Sequence, residues 1–165
     1  MFNVCRKLGA LLIIVIVIMS TLSGCKKEPE YTAECDFSYS SDKGHVYGNG
    51  LKEYAVGDTI YMKVRYRVES NQKKKSQVKV KLTIPNVKNA DAKYMDGQVI
   101  TPSYDSAKNI TTYEFTANAS KDAPVSECVF QFVPNTAGSI TMKLVFDDKV
   151  DSSYDKQNTL NFVEQ

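Results

Sequence analysis

An all-β domain, an antiparallel sandwich of seven to nine strands, is the fold this sequence predicts. Three observations carry that expectation. Apolar residues alternate with polar ones over several long segments, turn signals fall between those segments, and no stretch beyond residue 24 shows a helical period. Period-two alternation marks half-buried antiparallel strands, because successive side chains point to opposite faces of a sheet.

The strands can be taken in order. Tyr31 to Tyr39 sets Tyr31, Ala33, Cys35, Phe37 and Tyr39 against Thr32, Glu34, Asp36 and Ser38. Thr59 to Val68 is the clearest, with Ile60, Met62, Val64, Tyr66 and Val68 inward and Tyr61, Lys63, Arg65 and Arg67 outward. Val78 to Ile84 turns Val78, Val80, Leu82 and Ile84 in and Lys79, Lys81 and Thr83 out. Ile110 to Ala117 carries Tyr113 and Phe115, and Val125 to Val133 carries Cys128, Phe130 and Phe132. Ile140 to Asp147 turns Ile140, Met142, Leu144 and Phe146 in, and Thr159 to Val163 reads as a last edge strand. Asn49-Gly50, Gly57-Asp58, Asp96-Gly97 and Pro134 to Gly138 supply turns, since Gly and Asn tolerate the positive φ that tight turns require.

Residues 1–24 differ from the rest. Arg6 and Lys7 precede an almost unbroken apolar run from Leu8 to Met19, followed by Ser20, Thr21, Ser23 and Gly24. This is the layout of a secretory signal segment. A spanning helix needs about 20 apolar residues, whereas Leu8 to Leu22 supplies 15 even with the polar Ser20 and Thr21 counted. Leu22-Ser23-Gly24-Cys25 resembles the lipobox of bacterial lipoprotein precursors. The resemblance implies that the Cys25 thiol receives a diacylglyceryl group and becomes the new N-terminus. It implies a lipid-anchored protein on the extracytoplasmic face of the cell membrane, because two acyl chains give stable anchoring where one is marginal. Three segments follow: a lipoprotein signal peptide at 1–24, a lipidated Cys with a short tether at 25–30, and a β-sandwich at 31–165. Lys26 and Lys27 lie at headgroup level on this reading, or are simply solvated.

The mature sequence also looks like an immunoglobulin-like domain of the broad bacterial kind. Val56-Gly57-Asp58-Thr59-Ile60 resembles a strand entry, and Ala137-Gly138-Ser139-Ile140 a strand near the end of such domains. There is no Trp in the chain, and Ser126 stands where antibody-type domains place a Tyr two residues before the second Cys. The resemblance therefore implies the architecture and no functional residue.

Cys5 leaves with the signal segment and Cys25 is lipidated, so Cys35 and Cys128 remain. Both fall on inward faces, in a compartment that permits disulfides. The expectation is one structural bridge, worth roughly 4–5 kcal/mol by loop-closure entropy; the alternative is two separate buried thiols. His45, the sole histidine, sits in a glycine-rich turn and reads as a solvated loop residue. No nucleophile elbow and no zinc pattern appears, so neither an enzyme nor a cofactor is expected. Asp147, Asp148, Asp151 and Asp155 cluster after a strand but lack the spacing and Gly of an EF-hand loop, and read as an acidic solvated loop.

Charge supplies the last observation. The formal net charge is +2, and Arg6 and Lys7 account for all of it. The mature chain is neutral, yet Lys63, Arg65, Arg67, Lys73, Lys74, Lys75, Lys79 and Lys81 face only Glu69 within residues 63–81. If the two strands here form a hairpin, basic residues lie opposite basic residues, which destabilises a sheet. Either lysine protects an exposed edge from aggregation, or this hairpin faces an anion. An anionic polymer, a lipid headgroup or an acidic protein would then be the partner, and nucleic acid is disfavoured by location and by the patch's few aromatic residues. The expected function is a non-enzymatic, lipid-anchored interaction domain of the cell envelope. The alternative is an accessory subunit of a membrane transport or secretion complex.

Overall fold

The computed structural model describes residues 30–40, 46–50, 53–71, 75–87, 91–94 (backbone only) and 100–164. Residues 1–29, with the signal segment, Cys25, Lys26 and Lys27, lie outside the described residues, as do His45, Lys73, Lys74 and Asp96-Gly97.

Ten strands are found among the described residues: β1 (Tyr31–Ser40), β2 (Tyr54–Ala55), β3 (Ile60–Ser70), β4 (Ser76–Pro85), β5 (Asp91–Tyr94), β6 (Ser103–Asp105), β7 (Ile110–Ala119), β8 (Ser126–Phe132), β9 (Gly138–Phe146) and β10 (Lys156–Val163). A single 3-10 turn, Ser152–Tyr154, precedes β10. The strands form a four-stranded sheet, ordered β1-β3-β8-β5, and a six-stranded sheet, ordered β2-β10-β9-β4-β7-β6. Among the described residues the strand ladders are antiparallel except the short parallel contact of β2 with β10. The chain crosses between sheets at most connections, giving an immunoglobulin-like β-sandwich. The count exceeds the expected seven to nine because β2, β5 and β6 are too short to show alternation. β10 is not an edge strand, since β2 pairs beyond it.

The inward faces read from the sequence form the core. Ile60, Met62, Val64, Val78, Leu82, Ile84, Met142 and Leu144 are all fully buried. Tyr113 meets Phe130 edge-on across the two sheets, ring centroids 4.8 Å apart, and Tyr66 meets Phe115 at 5.4 Å. The Gly57 turn forms as expected. The Asp58 amide donates to the Ala55 carbonyl and Gly57 holds φ at 90°, the left-handed third position of a type II turn.

Two expectations are corrected by the topology. β3 and β4 do not form a hairpin: β3 pairs with β1 and β8, and β4 with β7 and β9, in the opposite sheet. The reason is electrostatic as well as geometric. The register sets Glu34 opposite Arg67, Asp36 opposite Arg65, Glu127 opposite Arg65 and Glu114 opposite Lys81. Each basic strand has acidic neighbours, and the like-charge pairing never arises.

Nor are Cys35 and Cys128 bridged; both thiols are buried. They belong to the same sheet, not to opposite ones. β3 runs between them, with Cys35 opposite Tyr66 and Cys128 opposite Val64. Two strand spacings and a two-residue offset separate their Cα atoms by about 12 Å. A disulfide requires roughly 4.4–6.8 Å. Alkylation of the unfolded chain without reductant is therefore expected to label both cysteines, and intact mass is expected to be unchanged by reductant.

Candidate functional site

Five of the eight basic residues lie on strands and divide between two surfaces. On the outer face of the four-stranded sheet, Arg67 contacts Glu34 at 3.0 Å and Glu69 at 3.4 Å. Arg65 contacts Glu127 at 3.0 Å, and Lys63 reaches the same carboxylate at 3.8 Å. The Lys63 ammonium also lies 4.3 Å from the centre of the Tyr47 ring. Exposed pairs of this kind add little stability, but they neutralise the face locally. Lys63, Arg65 and Arg67 are thus compensated, and this part of the expected anion-facing surface carries no excess positive charge.

The outer face of the six-stranded sheet differs. Lys79 and Lys81 on β4, Glu114 and Thr116 on β7, and Val145 and Asp147 at the end of β9 line a groove of about 550 Å³. Lys81 lies 3.9 Å from Glu114, a loose exposed pair. The Asp147 carboxylate accepts from backbone amides and keeps its negative charge at the rim of the groove. The Lys79 amide donates to it at 2.8 Å and the Lys149 amide at 3.1 Å. The rest of the face is mainly hydroxyl and amide, with Lys143 of β9 opposite Thr83. Thr141 pairs with Thr159 at 2.8 Å, and Ser139 donates to Asn161 at 2.7 Å.

The acidic loop is a structural element. Besides Asp147, Asp151 accepts from the Ser153 amide at 2.8 Å and caps the 3-10 turn, which lowers its carboxyl pKa. Asp155 accepts from the Phe146 amide at 3.2 Å. These three carboxylates hold separate backbone amides and do not converge. Among the described residues no group of three His, Cys, Asp or Glu is placed to hold a metal ion.

Glu30, the first described residue, lies at one end of the sandwich. Tyr31 pairs with Ser70, the Asn71 amide donates to the Glu30 carbonyl at 3.2 Å, and the Ser70 amide donates to Ser120 at 3.1 Å. Asn71, two residues before the lysine run at 73–75, thus stands beside the start of β1. Sequence reasoning missed Glu34, Glu114 and Glu127 as partners and Thr116, Val145 and Asp147 as groove residues. The objection to basic strands pairing with each other was the one signal that pointed to them.

No protein-family model matches the chain, and no similar curated protein was found. Solved structures of similar outline include the CARDB domain of the PF1109 protein from Pyrococcus furiosus, in complex with di-metal ions. It is 12% identical, with 83% of this chain and 90% of that chain covered and a TM-score of 0.46. The C-terminal domain of the Streptococcus agalactiae AgI/II polypeptide BspA is 13% identical, covering 80% and 48%, with a TM-score of 0.42. BcpA, the major pilin subunit of Bacillus cereus, is 13% identical, covering 82% and 41%, with a TM-score of 0.41. The immunoglobulin-like character of this chain rests on its own two sheets.

Proposed function

We propose that this chain is a lipid-anchored, non-enzymatic interaction domain of a bacterial cell envelope, held with its tether end toward the membrane. The observation that carries the reading is the hydrogen bond from Asn71 to Glu30, next to the Tyr31–Ser70 pair. It joins the flank of the lysine run to the point where the chain leaves for Cys25. Residues 26–30 span at most about 18 Å when extended, so this end stays near the bilayer. Lys73, Lys74 and Lys75 then serve headgroup contact, with roughly 1 kcal/mol for each lysine near an anionic surface. Lys79 and Lys81, in their groove on the six-stranded sheet, remain the residues for an anionic polymer or an acidic protein.

Mass spectrometry of the mature N-terminus tests the anchor. The expected result is cleavage before Cys25 and a diacylglyceryl group on its sulfur; an unmodified Cys25 overturns the reading. In the lipidated protein, reversing Lys73, Lys74 and Lys75 to Glu is expected to weaken contact with anionic vesicles. The effect should shrink as salt is added, because exposed charges are screened. The second reading, an accessory subunit of a membrane transport or secretion complex, draws on the same short tether. Crosslinking in cells to one stoichiometric membrane partner would favour it.

A further inference from the structure

Among the described residues the two sheets have four edge strands, and three of them are short. β2 has two residues, β6 three and β5 four. Short edges are a common protection against unwanted strand pairing. β1 is the exception, with ten residues, all paired to β3 on one side. On its other side, among the described residues, only Gly48 pairs with it, and only at Tyr39. There the Tyr39 amide donates to Gly48 at 2.8 Å and the Gly48 amide donates back at 2.9 Å. In an antiparallel ladder, alternate residues direct both backbone groups to the same side. The Tyr39 bonds therefore fix the direction for its whole parity class. The amides and carbonyls of Ala33, Cys35 and Phe37 point out from the open edge.

The side chains beside that edge specify a partner. On the outer face β1 presents Glu34 and Asp36, both exposed. Glu34 contacts Arg67, which Glu69 also engages. Arg65, opposite Asp36, gives its Nε to Glu127 instead. Negative charge is thus left at the rim of the sheet. On the inner face Ala33 and Cys35 are buried, and half-buried Phe37 and Tyr154 pack against the core. A second copy of β1 does not fit. Antiparallel pairing about Cys35 would set Glu34 opposite Asp36 of the other copy, acid against acid.

We infer that the open edge of β1 at Ala33, Cys35 and Phe37 accepts an extended strand from a partner protein whose residues alternate between basic on the outer face and apolar on the inner face. Backbone hydrogen bonds would supply the attachment and the alternating side chains the selectivity. The inference goes beyond the anchored-domain reading and does not depend on lipid.

The test uses the full-length protein in neutral detergent and two fluorescent heptapeptides, one alternating Lys with Val and Thr, the other Glu with the same residues. The lysine peptide is expected to bind at least tenfold more tightly. It should also slow hydrogen exchange at the amides of Ala33, Cys35 and Phe37. Glu34→Lys with Asp36→Lys is expected to reverse the preference, and circular dichroism would establish that this variant is folded. Cys35→Pro removes an outward amide while leaving the β1–β3 bonds intact, and is expected to abolish binding. Equal affinity for both peptides, an unreversed preference in the folded charge variant, or protection confined to the Lys79–Lys81 groove would each overturn the inference. Dimerisation of the protein through a protected β1 would overturn it as well.

Discussion

Truncating Phe130 to alanine is expected to lower the unfolding free energy by about 3–5 kcal/mol. Phe130 is fully buried on β8, opposite Met62 on β3 and Ala92 on β5. Its ring meets Tyr113 at 4.8 Å, inclined by 64°, and Phe115 at 6.2 Å. Both of those residues belong to the opposite sheet, so Phe130 is where the two layers interlock. A strand paired on both sides cannot move in to fill the cavity, which puts the cost at the upper end for its type. Domains of this size have about 5–15 kcal/mol of stability in total, so the variant should lose a third or more of it. Urea unfolding of Phe130→Ala beside Val125→Ala checks this. Val125 is 46% exposed and should change stability by less than about 0.5 kcal/mol. A loss under about 1 kcal/mol at Phe130 would mean that the sheets do not pack through this ring.

The inward face of each long strand was legible because alternation is a property of one strand. Ile60, Met62, Val64, Tyr66 and Val68 needed only their own spacing to be assigned to the core. Pairing is a property of two strands, and alternation does not carry it. Lys63 to Lys81 therefore read as a hairpin, although its basic faces objected to each other. The answer lay in residues far along the chain, where Glu34, Glu114 and Glu127 stand opposite Arg67, Lys81 and Arg65. Cys35 and Cys128 failed in the same way. Both were correctly turned inward, but inward from one sheet with β3 between them. The acidic loop was legible in composition and not in role, since the amides that Asp147 and Asp155 accept from come from Lys79 on β4 and Phe146 on β9.

Stability is expected to fall steeply in alkali, and Cys35 should set where the fall begins. Burial pushes its thiol from an ordinary 9.0 up to about 12, with Asp36 adding to the effect, Lys156 opposing it and Cys128 adding a little. Tyr39 is raised too, mainly by burial, although the amide of Asn158 donates to its phenol oxygen at 2.8 Å and favours the phenolate. Both groups bind their proton more tightly in the folded chain than in the unfolded one. Their contribution is therefore complete below about pH 9 and is lost as pH rises from there toward 12 and beyond. Each proton contributes a slope of about 1.4 kcal/mol per pH unit. Cys35 should contribute from about pH 9, and Tyr39 should join it above 10. Urea titrations at pH 8, 9.5 and 10.5 check this, with Cys35→Ala expected to make the fall above pH 9 shallower by up to one proton's slope. The same burial makes the thiol inert, because the thiolate is the nucleophile. At pH 8 a shift from 9 to 12 leaves about a thousandfold less thiolate in the folded chain than in the unfolded one, so iodoacetamide should label Cys35 only through opening of the sandwich. Labelling at the unfolded rate, or identical alkaline slopes in the parent and Cys35→Ala, would mean that Cys35 is open to water.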